Sequence, residues 1–116
     1  MPYKPRNFAP WLLIWKYLGS RWDVALVPSG GWIPDQTTYY IGMDDFPLAF
    51  RYYAWFHSEL AQDTLLALAE RGKDHCFFYY AHTVYHLPIP PDLATQEMEI
   101  PQPRSFYPGQ GAGLWK

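Results

Sequence analysis

The sequence predicts an α+β domain, with about four antiparallel strands packed on one long helix and Pro-rich extended arms at both ends. Three observations carry this. Residues 46–71 keep a helical rhythm of apolar positions; residues 11–18, 21–27, 37–43 and 75–87 are dense in β-branched and aromatic side chains; prolines gather in residues 2–10 and again from residue 88. The expected layout is a single domain over 1–116: an arm at 1–10, a β-rich part at 11–43, the central helix at 46–71, a strand at 75–87 and a Pro/Gly-rich tail at 88–116.

The helix comes first because the rest is read as wrapping it. Phe46, Ala49, Phe50, Tyr53, Phe56, Leu60, Thr64, Ala67 and Leu68 recur at three- and four-residue steps and share one face. Arg51, Ser58, Glu59, Gln62 and Glu70 fall on the other. Asp44 or Asp45 caps the start, Pro47 suits the first turn, and Gly72 supplies the stop after Arg71. A break near Gln62–Asp63–Thr64, with Asp63 as a second cap, is the alternative to one continuous rod.

Leu48, Trp55 and Leu66 land together in the middle of the polar side, with Tyr52 at its margin. Two readings follow. Either the Pro-rich tail or a loop of the same chain covers this stripe, or it anchors a partner, since Trp and Tyr dominate interface hot spots.

Residues 11–18 and 21–27 flank Gly19–Ser20, a two-residue link that suits a type II′ hairpin. Such a ladder sets Tyr17 opposite Trp22, Lys16 opposite Asp23 and, continuing, Leu13 opposite Leu26. Trp11, Leu13, Trp15, Tyr17, Trp22, Val24 and Leu26 then form an uncharged face for the helix. A short helix from Pro10 to Gly19 competes with this reading. Residues 28–35 read as a loop, whose Gly30–Gly31 pair lacks the lysine and following helix of a phosphate cradle. A third strand follows at 37–43 and a fourth at 75–87. The tail is pinned, where it is pinned, by Ile100, Phe106, Tyr107 and Trp115.

Composition excludes several function classes. With 49% hydrophobic and 17% charged residues the chain is a folded globule, and a net charge of −2 with pI ≈ 6.0 gives no basic footprint for nucleic acid. Aromatic content of 20%, with six Trp and ten Tyr, exceeds what a core of this size needs, so rings are expected at the surface. The single Cys76 reads as a small buried hydrophobe. Lys16 interrupts the apolar run at 11–15 and no small-residue cleavage site follows, so neither leader nor membrane span is expected, and the location expected is cytoplasmic.

No pattern of catalytic chemistry emerges. His82 and His86 stand about 13 Å apart on a strand, too far to share an ion, whereas one helical face would bring them to about 6 Å. Asp44–Asp45 serve as caps, and His57 is expected as a neutral, hydrogen-bonded core histidine. No metal, cofactor or enzyme activity is therefore expected. The expected function is protein binding by a small inhibitor or immunity-type module, of the kind phages and plasmids encode for counter-defence. It would block a larger, locally basic, nucleic-acid-processing target. Leu48, Tyr52, Trp55 and Leu66 are its anchors, with Glu59 and Asp63 as rim charge. The alternatives are an aromatic platform for sugars or small ligands, and a homodimer using the same stripe.

Overall fold

Alternation along residues 11–16 sends Leu13 and Trp15 to one side and Leu12 and Ile14 to the other, and this two-faced strand becomes the centre of a sheet. A computed structural model describes residues 9–31 and 38–107; most of the N-terminal arm, Trp32 and Trp115 lie outside the described residues. Strand β1 (Trp11–Lys16) lies between β3 (Ala25–Pro28) and β4 (Thr38–Met43), antiparallel to both. Leu13 pairs with Leu26 and Ile14 with Ala25, the register the Gly19–Ser20 link predicts. On the other edge Leu13 pairs with Ile41 and Lys16 with Thr38. Residues 11–16 are strand, and the short-helix alternative falls.

The ladder does not run down to a tight turn. It ends at Ile14 and Ala25, so neither Lys16–Asp23 nor Tyr17–Trp22 forms a pair. Instead Leu18–Gly19 (β2) leaves for a second sheet, where it pairs with β6 (Phe77–Phe78) beside β5 (Glu70–Arg71). Tyr79 holds the chain in this course: its N–H donates to the Tyr17 carbonyl at 2.7 Å and its hydroxyl to the Gly19 carbonyl at 3.0 Å. Trp22 turns inward, its ring 5.7 Å from Trp15 and 4.7 Å from Phe56. Burying a large side chain stabilises by roughly 1.5–3 kcal/mol, against a few tenths for a cross-strand pair, so core burial decides the path.

Helix α1 (Phe46–Phe56) follows the prediction. It buries Phe46, Ala49, Phe50, Tyr53 and Phe56, and Asp45 caps it by accepting from the Leu48 N–H at 3.3 Å. The single long helix is not what forms. At His57 the chain leaves the helix, and Ser58, with extended backbone (φ −70, ψ 154), caps a second helix, α2 (Glu59–Leu68). The Ser58 hydroxyl donates to the Trp55 carbonyl at 2.6 Å and accepts from the Ala61 N–H at 3.2 Å, serving both helix ends at once. Gln62, expected in solvent, fastens the joint through the Trp22 and Phe56 carbonyls at 3.0 and 2.7 Å. The break thus lies upstream of Asp63, and it rotates everything after it. Ala61 and Leu65 are buried, whereas Leu60 and Leu68, expected in the core, are 65% and 47% exposed.

Gly72 is not the helix stop. Helix α2 ends at Leu68, Ala69 is extended, and β5 follows. The Gly72 N–H closes a turn onto the Cys76 carbonyl at 2.8 Å. Asp74 and His75 carry the left-handed residues (φ 57 and 61), and a Cβ on Gly72 would meet the Phe78 ring at 3.1 Å. The strand expected at 75–87 is confined to Phe77–Phe78; Tyr80 then opens a short helix, α3 (Ala81–Tyr85), that buries Thr83 and Val84.

Among the described residues the tail has two deeply buried anchors, Leu93 and Phe106. Phe106 is buried among Phe46, Phe50 and Tyr53, and its backbone exchanges two 2.7 Å hydrogen bonds with Leu26. Upstream, the Arg51 Nε donates to the Gln96 carbonyl at 3.0 Å, and Met98 and Ile100 pack on the core. The described fold is mixed α+β: two small antiparallel sheets and three helices rather than four strands on one rod. Among the described residues no helix is long and apolar enough to cross a membrane.

Candidate functional site

The proposed anchors fall in two groups. Leu48, Tyr52 and Trp55 on α1, and Leu66 on α2, are half-buried; Tyr52, Trp55 and Leu66 pack against the core of their own chain. The Tyr52 ring lies 5.9 Å from Phe56, and the indole N–H of Trp55 is out of contact with solvent. The segment carrying Gln96 lies across Arg51 of the same helix. Glu59 and Asp63, by contrast, are exposed on α2.

Helix α2 therefore displays a face that the sequence reading placed in the core. Leu60, Ala67 and Leu68 are exposed and Thr64 is half-exposed, while Glu59 and Asp63 run along one edge a turn apart. The helix, Glu-Leu-Ala-Gln-Asp-Thr-Leu-Leu-Ala-Leu, holds no cation to offset those two carboxylates. An apolar stripe with an acidic border results, held by Ser58 and Gln62 at one end and by Leu65 beneath.

A second group of rings gathers beside the second sheet and the start of α3. Tyr17, Phe78, Tyr80 and His82 form a column of near-parallel rings, with successive centroids 6.1, 5.5 and 5.4 Å apart and interplanar angles of 24°, 2° and 15°. Tyr79, between Phe78 and Tyr80, points the other way and is fully buried, accepting at its carbonyl from the Trp15 indole at 2.9 Å. The visible cue was this alternation at 78, 79, 80 and 82, which the reading of 75–87 as one long strand did not turn into a surface. Burial, then the charge of Glu70 and the phenols of Tyr39 and Tyr17, raise the Tyr80 hydroxyl above its ordinary value.

The remaining chemistry-bearing residues stay apart. His57 is half-buried with its Nε2 2.8 Å from the Val24 carbonyl, which fixes Nε2–H as the donor. Desolvation lowers its pKa, opposed by the Val24 bond and by Asp23, while Arg21 adds to the lowering. His82 and His86 lie in and just after α3, one helical turn apart, so the 13 Å separation argued from a strand does not apply. Among the described residues no three His, Cys, Asp or Glu side chains gather to hold a metal ion. Cys76 is half-buried rather than sealed in the core.

A groove between α1 and the tail is lined by Arg51, Thr95, Gln96, Glu97 and Met98 and is open to solvent. The described surface thus presents an acid-bordered apolar helix face and a column of stacked rings. Compared with known proteins, the chain matches no protein-family model, no curated protein and no solved structure.

Proposed function

We propose that this protein is a non-enzymatic protein-binding module, an inhibitor-type domain that occludes a larger, locally basic partner with the outward face of α2. The observation that supports it most is the exposure of Leu60 and Leu68, at 65% and 47%, beside Glu59 and Asp63, which have no ion-pair partner among the described residues, on a helix without cations. An isolated exposed leucine is ordinary, but a helical stripe bordered by one sign of charge is the pattern of an apolar interface centre with a charged rim. The acidic border attracts a basic surface and competes with phosphates for it, which suits a target that handles nucleic acid.

The test uses Leu60→Glu, which places a charge in the stripe at a solvent-exposed site and leaves melting unchanged. Wild type and variant serve as baits, and the captured target is then purified and titrated. Wild type forms a defined complex that weakens as salt rises, and the variant binds at least tenfold more weakly. Equal recovery of every band by both baits overturns the proposal. A concentration-dependent dimer, seen by light scattering and lost in Leu60→Glu, would assign the face to self-association instead.

A further inference from the structure

We propose that the ring column of Tyr17, Phe78, Tyr80 and His82, with Glu70 beside it, receives an arginine side chain of the partner. This names the chemistry the partner brings and so rests on the protein-binding reading. Four features of the second sheet lead there.

The first is shape. Parallel rings in contact are about 3.5 Å apart, so Phe78 and Tyr80, whose centroids are 5.5 Å apart with an interplanar angle of 2°, are displaced sideways by about 4 Å. Phe78 and Tyr80 then leave part of each other's faces uncovered, as treads do in a staircase. His82, the last tread, is exposed, and Tyr80 is half-exposed. A planar guanidinium stacks on such faces; a round ammonium has no plane to match.

The second is a carboxylate on the same side. The register sets Leu18, Phe78 and Glu70 in one cross-strand row, and residues in such a row share a face with their Cβ atoms about 5 Å apart. Glu70 is exposed, and the one ion pair among the described residues joins Arg21 to Asp23. A carboxylate takes two parallel N–H bonds from a guanidinium, a geometry lysine does not offer.

The third is the placement of the chain's own cation. Arg71 belongs to the neighbouring row with Phe77 and Gly19, hence to the opposite face, where its guanidinium lies 5.9 Å from the Phe77 ring centre. It leaves the Glu70 side acidic. The fourth is at the Tyr80 hydroxyl: partial burial and then the Glu70 carboxylate disfavour its ionisation, and since the phenols of Tyr39 and Tyr17 are uncharged at neutral pH, Glu70 supplies the charge the column feels. Such a site repels phosphates and attracts cations, which ranks a basic peptide above a nucleic acid or a neutral sugar.

The test titrates the whole protein with three end-blocked Gly-Xaa-Gly-Xaa-Gly peptides in which Xaa is arginine, lysine or neutral citrulline, following the Tyr80 and His82 ring signals by NMR. The arginine peptide shifts both rings saturably and binds about fivefold more tightly than the lysine peptide, with citrulline weakest. Glu70→Gln and His82→Ala, both at exposed positions, each weaken it about fivefold, whereas Leu60→Glu leaves it unchanged. Equal affinity for arginine and lysine, or no effect of Glu70→Gln, overturns the assignment, as does a stronger response to an oligonucleotide or a glucose oligomer. Loss of target capture by Leu60→Glu, without any arginine-selective binding, would sink this inference alone and leave the α2 face standing. The reverse result would sink the α2 face and leave the column as a guanidinium site.

Discussion

Replacing Ser58 by alanine distinguishes two arrangements of residues 46–71, because they give opposite signs. In the broken arrangement the Ser58 hydroxyl accepts from the Ala61 N–H at 3.2 Å and donates to the Trp55 carbonyl at 2.6 Å. Losing an N-cap costs about 1 kcal/mol, and losing a net hydrogen bond from a half-buried site costs about as much again at most, giving about 1–2 kcal/mol in all. In an uninterrupted helix the same change replaces a mediocre helix former by the best one and stabilises by about 0.5 kcal/mol. Unfolding entropy of about 2.1 cal/mol/K per residue gives about 0.24 kcal/mol/K for this chain length. The broken arrangement therefore predicts a melting temperature lower by about 4–8 °C, and the continuous one a rise of about 2 °C. Thermal unfolding followed by circular dichroism reads the difference, with Ser58→Thr, which keeps a capping hydroxyl, recovering most of the loss. An unchanged or raised melting temperature in Ser58→Ala would refute the reasoning.

Other consequences follow from the same packing. Leu65→Ala, at a fully buried site, costs about 2–5 kcal/mol in urea unfolding, while Leu60→Ala stays within about 0.5 kcal/mol; the reverse order would restore the continuous helix. Phe106→Ala removes a ring buried among Phe46, Phe50 and Tyr53 and costs about 3–5 kcal/mol, with faster proteolysis downstream of residue 88 as the accompanying sign. His57 has a folded pKa below its ordinary 6.5, so on acidification the unfolded chain takes up the proton first. Its contribution is fully present above that value and is lost as pH falls below it. Denaturation midpoints of wild type drop through this window more steeply than those of His57→Gln, and equal slopes would contradict the assignment.

Local signals were legible where sequence neighbours decide the outcome. The register of β1 against β3 followed from alternation and the position of Gly19–Ser20; α1 followed from its period, Asp45 and Pro47; β4 followed from its β-branched and aromatic run. The joint at His57–Ser58 was hidden because the periodicity continues through it, and the deciding contacts are distant: Gln62 to Trp22, His57 to Val24. Ser58 was itself a cap signal, since serine competes for backbone groups in helix interiors. Its place on the polar side of a good wheel concealed that. The 75–87 segment failed for a related reason. An aromatic run of that kind serves strand or helix alike, and Tyr79 settles it by tying Tyr17, Gly19 and Trp15 to one residue. Of the six proposed contact residues, Glu59 and Asp63 are exposed and the four apolar ones are half-buried. Exposed tyrosines do occur, but off α1: Tyr85 is 69% exposed, whereas Tyr17, Phe78 and Tyr80 of the column are half-buried like Tyr52 and Trp55, and only His82 of the column is exposed.

The account turns on which leucines of α2 meet water, and this is measurable directly. Leucine methyl signals recorded at high dilution with a soluble paramagnetic agent report the depth of each side chain. Strong broadening of Leu60 and Leu68, with Leu65 protected, is the predicted result. Protection of Leu60 to the same degree as Leu65 would contradict it, returning α2 to the core and removing the face on which the proposed interaction depends.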